Sequence, residues 1–264
     1  MFIVSKANVK YKQWLKLKDS RGRKQANQFL IEGFRELSRA LQAQIEIKSF
    51  IFQQSVFESQ QSFVQRHFAG YLTEHNCFVL ADALFKQLSL RENPDGIMGI
   101  ANVWDSKLSE FALRDKGLYV LVESLEKPGN LGAIMRSAEA THVDAMFIAD
   151  PHVDIFNPNV IRASQGAVFG LPVFWGSSSE IFNLLNAQKI NIIATTPGAK
   201  RLFWDFDMRE TCVICIGNEA KGLSSLWLEQ AIPLAIPMFG GSADSLNAGV
   251  SAALCLYEAR RQRR

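Results

Sequence analysis

The stretch from residue 118 to residue 141 contains the apolar run Leu118-Tyr119-Val120-Leu121-Val122, then the loop Glu126-Lys127-Pro128-Gly129-Asn130-Leu131-Gly132, then a helical pattern over 131–141. A short apolar run, a glycine-containing loop and a helix are typical of one βα unit. The same order recurs downstream. Further strand-like runs occur at 145–149, 190–195, 213–217 and 234–237, and helical patterns at 158–164, 179–188, 223–231 and 246–260. This alternation predicts an α/β fold, with a mostly parallel sheet covered on both faces.

Residues 1–104 have a different texture and predict a smaller α/β unit. Its clearest elements are Phe29-Leu30-Ile31-Glu32-Gly33, a strand end that turns into a helix, and the turn Asn93-Pro94-Asp95-Gly96 before a last strand. Residues 105–116 are charged and lack a strong apolar period. We therefore expect two domains, 1–104 and 117–264, joined by a linker over 105–116.

The composition excludes several classes of protein. The 264 residues are 48% hydrophobic and 21% charged, which is ordinary for a globular chain. No apolar run approaches the roughly 20 residues that span a bilayer, and Lys6 and Lys10 interrupt the N-terminus before a signal-peptide core develops. We expect a cytoplasmic protein without a membrane partner.

Positive charge is concentrated near the N-terminus, although the net charge is only +3. Residues 6–24 contain eight basic residues and one acid, Asp19, with Tyr11 and Trp14 interleaved. A solvated amphipathic helix and a surface that contacts nucleic-acid phosphates both fit this pattern.

Three loops follow predicted strands and are rich in Gly, Asn or Ser: 126–132, 217–224 and 237–247. Ligands of parallel α/β sheets bind in loops at the carboxyl ends of strands, so these loops predict a site. The first loop lacks the Gly-Lys-Ser/Thr ending of a P-loop, and no G-x-G-x-x-G follows a strand. Cys212 and Cys215 form a C-x-x-C inside an apolar, strand-like run, which favours buried thiols over a metal site.

Three motifs in these loops resemble those of the SpoU-type (TrmH-like) RNA 2′-O-methyltransferases of the SPOUT superfamily. The first is Pro128-Gly129-Asn130-Leu131-Gly132-Ala133-Ile134-Met135-Arg136-Ser137-Ala138. The second is Ile216-Gly217-Asn218-Glu219-Ala220-Lys221-Gly222-Leu223-Ser224, and the third is Ile236-Pro237-Met238 followed by Ser245-Leu246-Asn247. Order and spacing agree over about 150 residues. The segment 29–37 also resembles the start of the ribosomal-protein-like substrate-binding domain of this family.

The resemblance implies a deep trefoil knot in the C-terminal domain, S-adenosylmethionine as the cofactor, and no metal. The implied cofactor-binding residues are Gly217, Asn218, Ile236 and Leu246. The implied catalytic residues are Arg136, Asn130, Glu219, Ser245 and Asn247. One position departs from the family pattern, since Ala220 stands where glycine is common, and a positive φ there would strain alanine.

The implied role of Arg136 is to activate the ribose hydroxyl, which is a poor nucleophile until its proton leaves. Two interpretations stay open, because a guanidinium is almost fully protonated at neutral pH. Arg136 acts either as a base in a desolvated site or as an electrostatic group that holds the neighbouring phosphate, and we favour the second.

The predicted function is therefore S-adenosylmethionine-dependent methylation of a ribose 2′-hydroxyl in structured RNA, with ribosomal RNA favoured over transfer RNA. The alternatives are a tRNA ribose methyltransferase, a noncatalytic RNA-binding protein on a degenerate methyltransferase fold, and a base methyltransferase on the related knotted fold. The resemblance also implies a homodimer. The terminal helix carries Val250, Ala253, Leu254 and Tyr257 at helical spacing, which fits either a dimer interface or core packing.

Overall fold

A computed structural model describes residues 1–240 and 244–264 of the chain. It divides into two compact units. The first comprises residues 1–104 and 155–169, and the second comprises residues 105–154 and 170–264. Within the described ranges, no helix is long and apolar enough to cross a membrane.

The first unit is a mixed α/β layer built on a five-stranded sheet in the order β1-β4-β3-β5-β2. Strands β3 and β4 pair in parallel, whereas β5 pairs antiparallel with both β2 and β3. The elements are β1 (Phe2–Ile3), α1 (Val9–Lys16), α2 (Ser20–Ala26), β2 (Gln28–Glu32), α3 (Phe34–Gln42), β3 (Ile47–Gln53), α4 (Gln54–Ser59), α5 (Gln61–Phe68), β4 (Cys77–Leu80), α6 (Asp82–Leu88), β5 (Ile97–Asn102) and, from the later segment, α8 (Pro158–Ala163).

Aromatic side chains from α1 anchor one core of this unit. Tyr11 and Trp14 are buried together with Ile51 and Phe85, and the Tyr11 hydroxyl donates a hydrogen bond to the Leu84 carbonyl. Fully burying each large apolar side chain contributes about 1.5–3 kcal/mol, so α1 is held firmly on the sheet.

The second unit is a six-stranded sheet in the order β11-β9-β10-β6-β7-β8, and all of its strand pairs are parallel. The elements are β6 (Leu118–Glu123), α7 (Pro128–Ala140), β7 (Ala145–Ala149), β8 (Val173–Gly176), α9 (Ser178–Ala187), β9 (Asn191–Thr195), β10 (Cys212–Ile216), α10 (Ser225–Gln230), β11 (Ile232–Leu234) and α11 (Ala248–Gln262). The predicted α/β class with a parallel sheet is confirmed. The trefoil knot stays a prediction.

Two features differ from the sequence-based expectation. Phe111, in the segment expected to be a linker, is buried in the core of the second unit beside Tyr119 and Phe147. Residues 155–169, expected in the C-terminal domain, belong to the first unit, where Phe156 and Phe169 pack with Phe29. The domain bounds 1–104 and 117–264 stay a prediction about which parts fold independently.

Candidate active site

A cavity of about 600 Å³ opens at the carboxyl ends of β6, β9 and β10, within the second unit. Strand order reverses between β6 and β10, because β7 and β8 follow on one side and β9 and β11 on the other. Such a switch point leaves a crevice between neighbouring loops. The loops that follow β6 and β10 both line this cavity, and so does the described part of 237–247.

Most of the predicted site residues lie on the wall of this cavity. The eight residues are Asn130, Gly217, Asn218, Glu219, Ile236, Ser245, Leu246 and Asn247. The cavity is also lined by Thr195, at the end of β9, and by Thr196 and Pro197 of the following loop, none of which was predicted from the sequence. Their position after a buried strand was the available signal. Within the third loop, residues 241–243 lie outside the described residues.

A chain of side-chain hydrogen bonds joins the three loops. Asn247 Nδ2 donates to Asn130 Oδ1 over 3.0 Å, and Asn130 Nδ2 donates to Glu219 Oε1 over 2.7 Å. Asn247 Oδ1 in turn accepts from the backbone N–H of Gly249 and caps the start of α11. One contact therefore sets the orientation of the next, from α11 through α7 to the loop after β10.

The Glu219 carboxylate accepts more than this one hydrogen bond. The backbone N–H groups of Glu126 and Lys127 each lie 3.3 Å from one of its oxygens. Burial raises the pKa of Glu219, but hydrogen bonds from its own backbone, from Asn130 and from these two N–H groups outweigh that effect. The net result is a lowered pKa, which keeps Glu219 ionised as an acceptor at neutral pH.

The second loop is a tight turn closed by Asn218. Backbone hydrogen bonds pair Asn218 with Gly222 in both directions, and Asn218 Oδ1 accepts from the N–H groups of Ala220 and Lys221. A Cβ on Gly217 would lie 2.2 Å from the Gly222 carbonyl carbon, so the turn closes only with glycine at 217. The positive φ of the turn falls on Gly222 at +71° and not on Ala220. Alanine at 220 is therefore unstrained.

A buried carboxylate on the central strand β6 was not predicted from the sequence. Glu123, at the end of β6, accepts hydrogen bonds from Ser178 Oγ, Ser224 Oγ and Trp227 Nε1 at 2.7–3.0 Å, and from the Ser224 N–H. These donors begin α9 and α10. Glu123 therefore fixes both helices, and with them the end of the second loop, to the central strand.

Arg136 does not line the cavity. It lies on α7, and its side chain is exposed. Helices α7 and α11 run side by side in parallel, since Asn130 and Asn247 join their N-terminal ends and Arg260 donates to the carbonyls of Thr141 and His142 at their C-terminal ends. This parallel arrangement puts Arg136 level with the middle of α11, on the outside of the molecule.

The middle of α11 presents apolar side chains to solvent. Val250, Leu254 and Tyr257 are 47%, 40% and 57% exposed, whereas Cys255 and Leu256 of the same helix are buried. Of the two explanations open at the level of sequence, core packing does not account for this outward stripe.

The cysteines behave as apolar residues. Cys212 and Cys215 are buried in β10, where burial raises the pKa of both thiols. Burial also raises the pKa of Cys255 to about 12. Over the described part of the chain, no group of three His, Cys, Asp or Glu side chains is arranged to hold a metal ion.

Comparison with known proteins identifies the family. The model of the SpoU rRNA Methylase family matches residues 117–257. The chain belongs to this family. A second model, of the MRM3-like substrate binding domain, matches residues 8–99.

Relatives and solved structures match along the full length of this SpoU methylase. The 23S rRNA (guanosine(2553)-2′-O)-methyltransferase RlmP of Bacillus subtilis (strain 168) is 29% identical, with 98% of each chain covered. A crystal structure of an RNA 2′-O ribose methyltransferase is 39% identical, with a TM-score of 0.87, and covers 100% of this chain and 99% of its own. The SpoU methyltransferase AviRb from Streptomyces viridochromogenes, solved in complex with AdoMet, is 28% identical, with a TM-score of 0.87 and coverages of 97% and 98%.

Proposed function

We propose that this SpoU methylase transfers a methyl group from S-adenosylmethionine to a ribose 2′-hydroxyl in ribosomal RNA. The observation that carries the proposal is the cavity in which the three motif loops meet, joined by the Glu219–Asn130–Asn247 chain. The names of the relatives, which act on 23S rRNA at ribose, support the substrate.

The cavity fits the cofactor in size and chemistry. About 600 Å³ is within the range of small-molecule sites, roughly 300–1,000 Å³. Apolar Ile216, Ile236 and Leu246 suit a purine ring, whereas hydroxyls and backbone groups of the loops suit a ribose and an amino-acid moiety. We assign Gly217, Asn218, Ile236 and Leu246 to cofactor binding. When bound, S-adenosylmethionine supplies a methyl group on a positively charged sulfur. The neutral thioether that remains after transfer is a good leaving group.

The residues of this chain have the task of alignment. In the transfer, the ribose oxygen forms a bond to the methyl carbon while the carbon–sulfur bond breaks, so that the neutral thioether S-adenosylhomocysteine leaves and the hydroxyl proton passes to water. In-line geometry of oxygen, carbon and sulfur is therefore a large part of the rate. We assign Asn130, Glu219, Ser245 and Asn247 to holding the three loops and the nucleotide in this geometry.

Arg136 is assigned to the substrate phosphate. Its planar guanidinium can bind a phosphate with two parallel hydrogen bonds, and the positive charge favours loss of the neighbouring hydroxyl proton. Because the side chain is exposed and does not line the cavity of its own chain, we propose that it acts at the cavity of a second copy.

The second copy is held by the exposed stripe of α11. Val250, Leu254 and Tyr257 lie level with Arg136 on the neighbouring helix, so an interface there would bring Arg136 to the partner. A twofold axis buries the same stripe on both chains, and each pair then has two equivalent sites.

The test of the proposed function is transfer of labelled methyl groups from S-adenosylmethionine into protein-free 23S rRNA, with tRNA and 16S rRNA as comparison substrates. We expect incorporation into ribosomal RNA that approaches one methyl per molecule. A stable protein that binds rRNA but gives no thermal shift with S-adenosylmethionine and no incorporation would be a noncatalytic RNA-binding protein. Incorporation into tRNA alone would mean that the substrate is tRNA and not ribosomal RNA.

A further inference from the structure

Two lysines lie at the mouth of the cavity, on the loops that follow β6 and β10. Lys127 directly precedes α7, and Lys221 lies in the tight turn closed by Asn218. Both line the cavity, and both remain exposed to solvent. The sequence assigns no role to either, because most lysines in loops are simply solvated. Their position beside Glu219 requires the folded structure.

The hydrogen bonds of the motif loops fix the backbone of both lysines. The N–H group of Lys127 donates to Glu219 Oε1 over 3.3 Å, and the N–H group of Lys221 donates to Asn218 Oδ1 over 3.1 Å. Lys221 also follows Glu219 by two residues, so the Cα atoms of these two residues are at most about 7 Å apart. Both side chains therefore start from fixed points next to Glu219.

The acids of the site do not pair with these lysines. Over residues 1–240 and 244–264, no carboxylate forms an ion pair with Lys127 or Lys221. Glu219 and Glu126 already accept hydrogen bonds within the motif loops. Asp244, on the third loop, also lines the cavity, so the wall carries as many acids as lysines. Attraction of an anion therefore depends on where the two ammonium groups lie and not on net charge.

The substrate of the proposed function has two phosphates to be held. A nucleotide within an RNA chain has one phosphate on each side of its ribose, and the proposed function assigns one of them to Arg136. The second phosphate arrives with the ribose whose 2′-hydroxyl must reach the methyl group, so it lies at the mouth of the cavity. An ammonium group suits it, because three N–H donors on a flexible stem can follow its oxygens.

We propose that Lys127 and Lys221 bind the second phosphate of the target nucleotide at the cavity of their own chain. The proposal rests on the proposed function, which makes RNA the substrate. Together with Arg136, the two lysines would hold the target ribose by both of its phosphates. The carboxylate of S-adenosylmethionine is the other anion that could reach these ammonium groups, and the experiment separates the two.

The experiment compares two double variants of the full chain. Lys127→Gln with Lys221→Gln removes both charges, and Lys127→Arg with Lys221→Arg keeps them. A matched control, Lys116→Gln with Lys189→Gln, removes two exposed charges that precede β6 and β9, at the edge of the sheet away from the cavity. Affinity and KM for protein-free 23S rRNA are measured from about 50 to 300 mM salt. Affinity for S-adenosylmethionine is measured by isothermal titration.

We expect the glutamine pair to raise the KM for RNA about 10-fold at low salt, because one phosphate contact is lost. The slope of log K against log salt should be shallower by roughly 0.7–0.9. The value of kcat at saturating RNA should fall less than about threefold, since the phosphate is held alike in the ground state and in the transition state. The arginine pair and the control should keep the wild-type slope, and affinity for S-adenosylmethionine should not change in any variant.

Three results would overturn the proposal. An unchanged salt slope and KM in the glutamine pair would mean that the lysines are merely solvated. Weaker affinity for S-adenosylmethionine at an unchanged RNA slope would assign them to the carboxylate of the cofactor. An equal loss in the control would show an effect of charge and not of position. Failure of the proposed function would appear separately, as a wild-type chain that binds rRNA but transfers no methyl group.

Discussion

At the scale of single residues, the direction of hydrogen bonding between the motif loops is fixed. Glu219 is ionised and can only accept, so Asn130 must turn its amide N–H group toward it. Asn130 then presents its oxygen to Asn247, whose own oxygen caps α11. The family motifs identify these residues from sequence, but this order of donors and acceptors requires the folded structure.

Asn130→Asp tests this order. The new carboxylate would face Glu219 without a proton, and losing a hydrogen bond to a charged group costs about 1.5–3 kcal/mol. Two adjacent carboxylates raise the pKa of one of them, so a shared proton should restore part of the stability at low pH. We expect the deficit in melting temperature relative to wild type to shrink between pH 8 and pH 5. Asn130→Ala, the control, should show a constant deficit over this range.

In the wild type, the contribution of Glu219 to stability changes with pH in the opposite direction. The pKa of Glu219 is lowered in the folded state, so its contribution is present above the pKa of the unfolded chain and is lost as pH falls through the lowered value. A deficit in the melting temperature of Asn130→Asp that grew steadily from pH 8 to pH 5 would contradict the order of donors and acceptors.

Glu123→Gln tests the buried carboxylate. The side-chain amide N–H group introduced by this substitution would meet donors from Ser224 and Trp227, so one buried polar contact would be broken. We expect a loss of about 2–4 kcal/mol in the free energy of unfolding, measured with urea. Glu229→Gln, at an exposed position on α10, should change it by less than about 0.5 kcal/mol. An equal loss in the free energy of unfolding for the two variants would mean that Glu123 does not anchor α9 and α10.

At the scale of elements, α7 and α11 act as one layer because both pairs of ends are tied. Arg260→Ala removes the two hydrogen bonds to the end of α7, at Thr141 and His142. We expect a loss of about 1–3 kcal/mol in unfolding free energy. The control is Arg261→Ala, whose exposed guanidinium pairs with the partly buried Glu258 of the same helix, a pair that contributes about 0–1 kcal/mol. A smaller effect from Arg260→Ala than from Arg261→Ala would contradict the tie.

The sequence predicts most of these elements because buried parallel strands are short apolar runs. The run 145–149 coincides with β7, and the C-x-x-C run lies in β10 as expected. Strand β8 was missed because its apolar run, Val173 to Trp175, is only three residues long and ends at Gly176. The burial of Phe111 was missed because one aromatic in a charged segment has no periodic signal.

At the scale of the whole molecule, the chain is two units whose boundary is not a single point in the sequence. Residues 155–169 follow β7 in the second unit but pack in the first, with Gly166 against Arg39. No local sequence pattern predicts that residues 155–169 pack in the first unit, because this packing depends on aromatic contacts with Phe29, more than 120 residues away in the chain. The same limit applies to Arg136, since the motif identifies the residue but not the copy in which it acts.

Mixed dimers test whether Arg136 acts across an interface. Arg136→Ala leaves the cavity intact, whereas Ile236→Trp fills the cavity and leaves Arg136 intact. Each variant alone should be inactive. Action in the partner predicts that an equal mixture regains about a quarter of wild-type activity, since half of the dimers are mixed and each has one complete site. No recovery in a mixture shown by light scattering to be dimeric would mean that Arg136 serves its own chain.

The most direct test of the central claim is the position of the transferred methyl group on the ribose. Alkaline cleavage of RNA needs the free 2′-oxygen as nucleophile, so a nucleotide methylated there stays joined to its neighbour. After reaction of 23S rRNA with labelled S-adenosylmethionine and complete alkaline hydrolysis, we predict that the label is recovered in one dinucleotide. Label in mononucleotides would mean methylation of a base, and would contradict the assignment of this protein as a ribose 2′-O-methyltransferase.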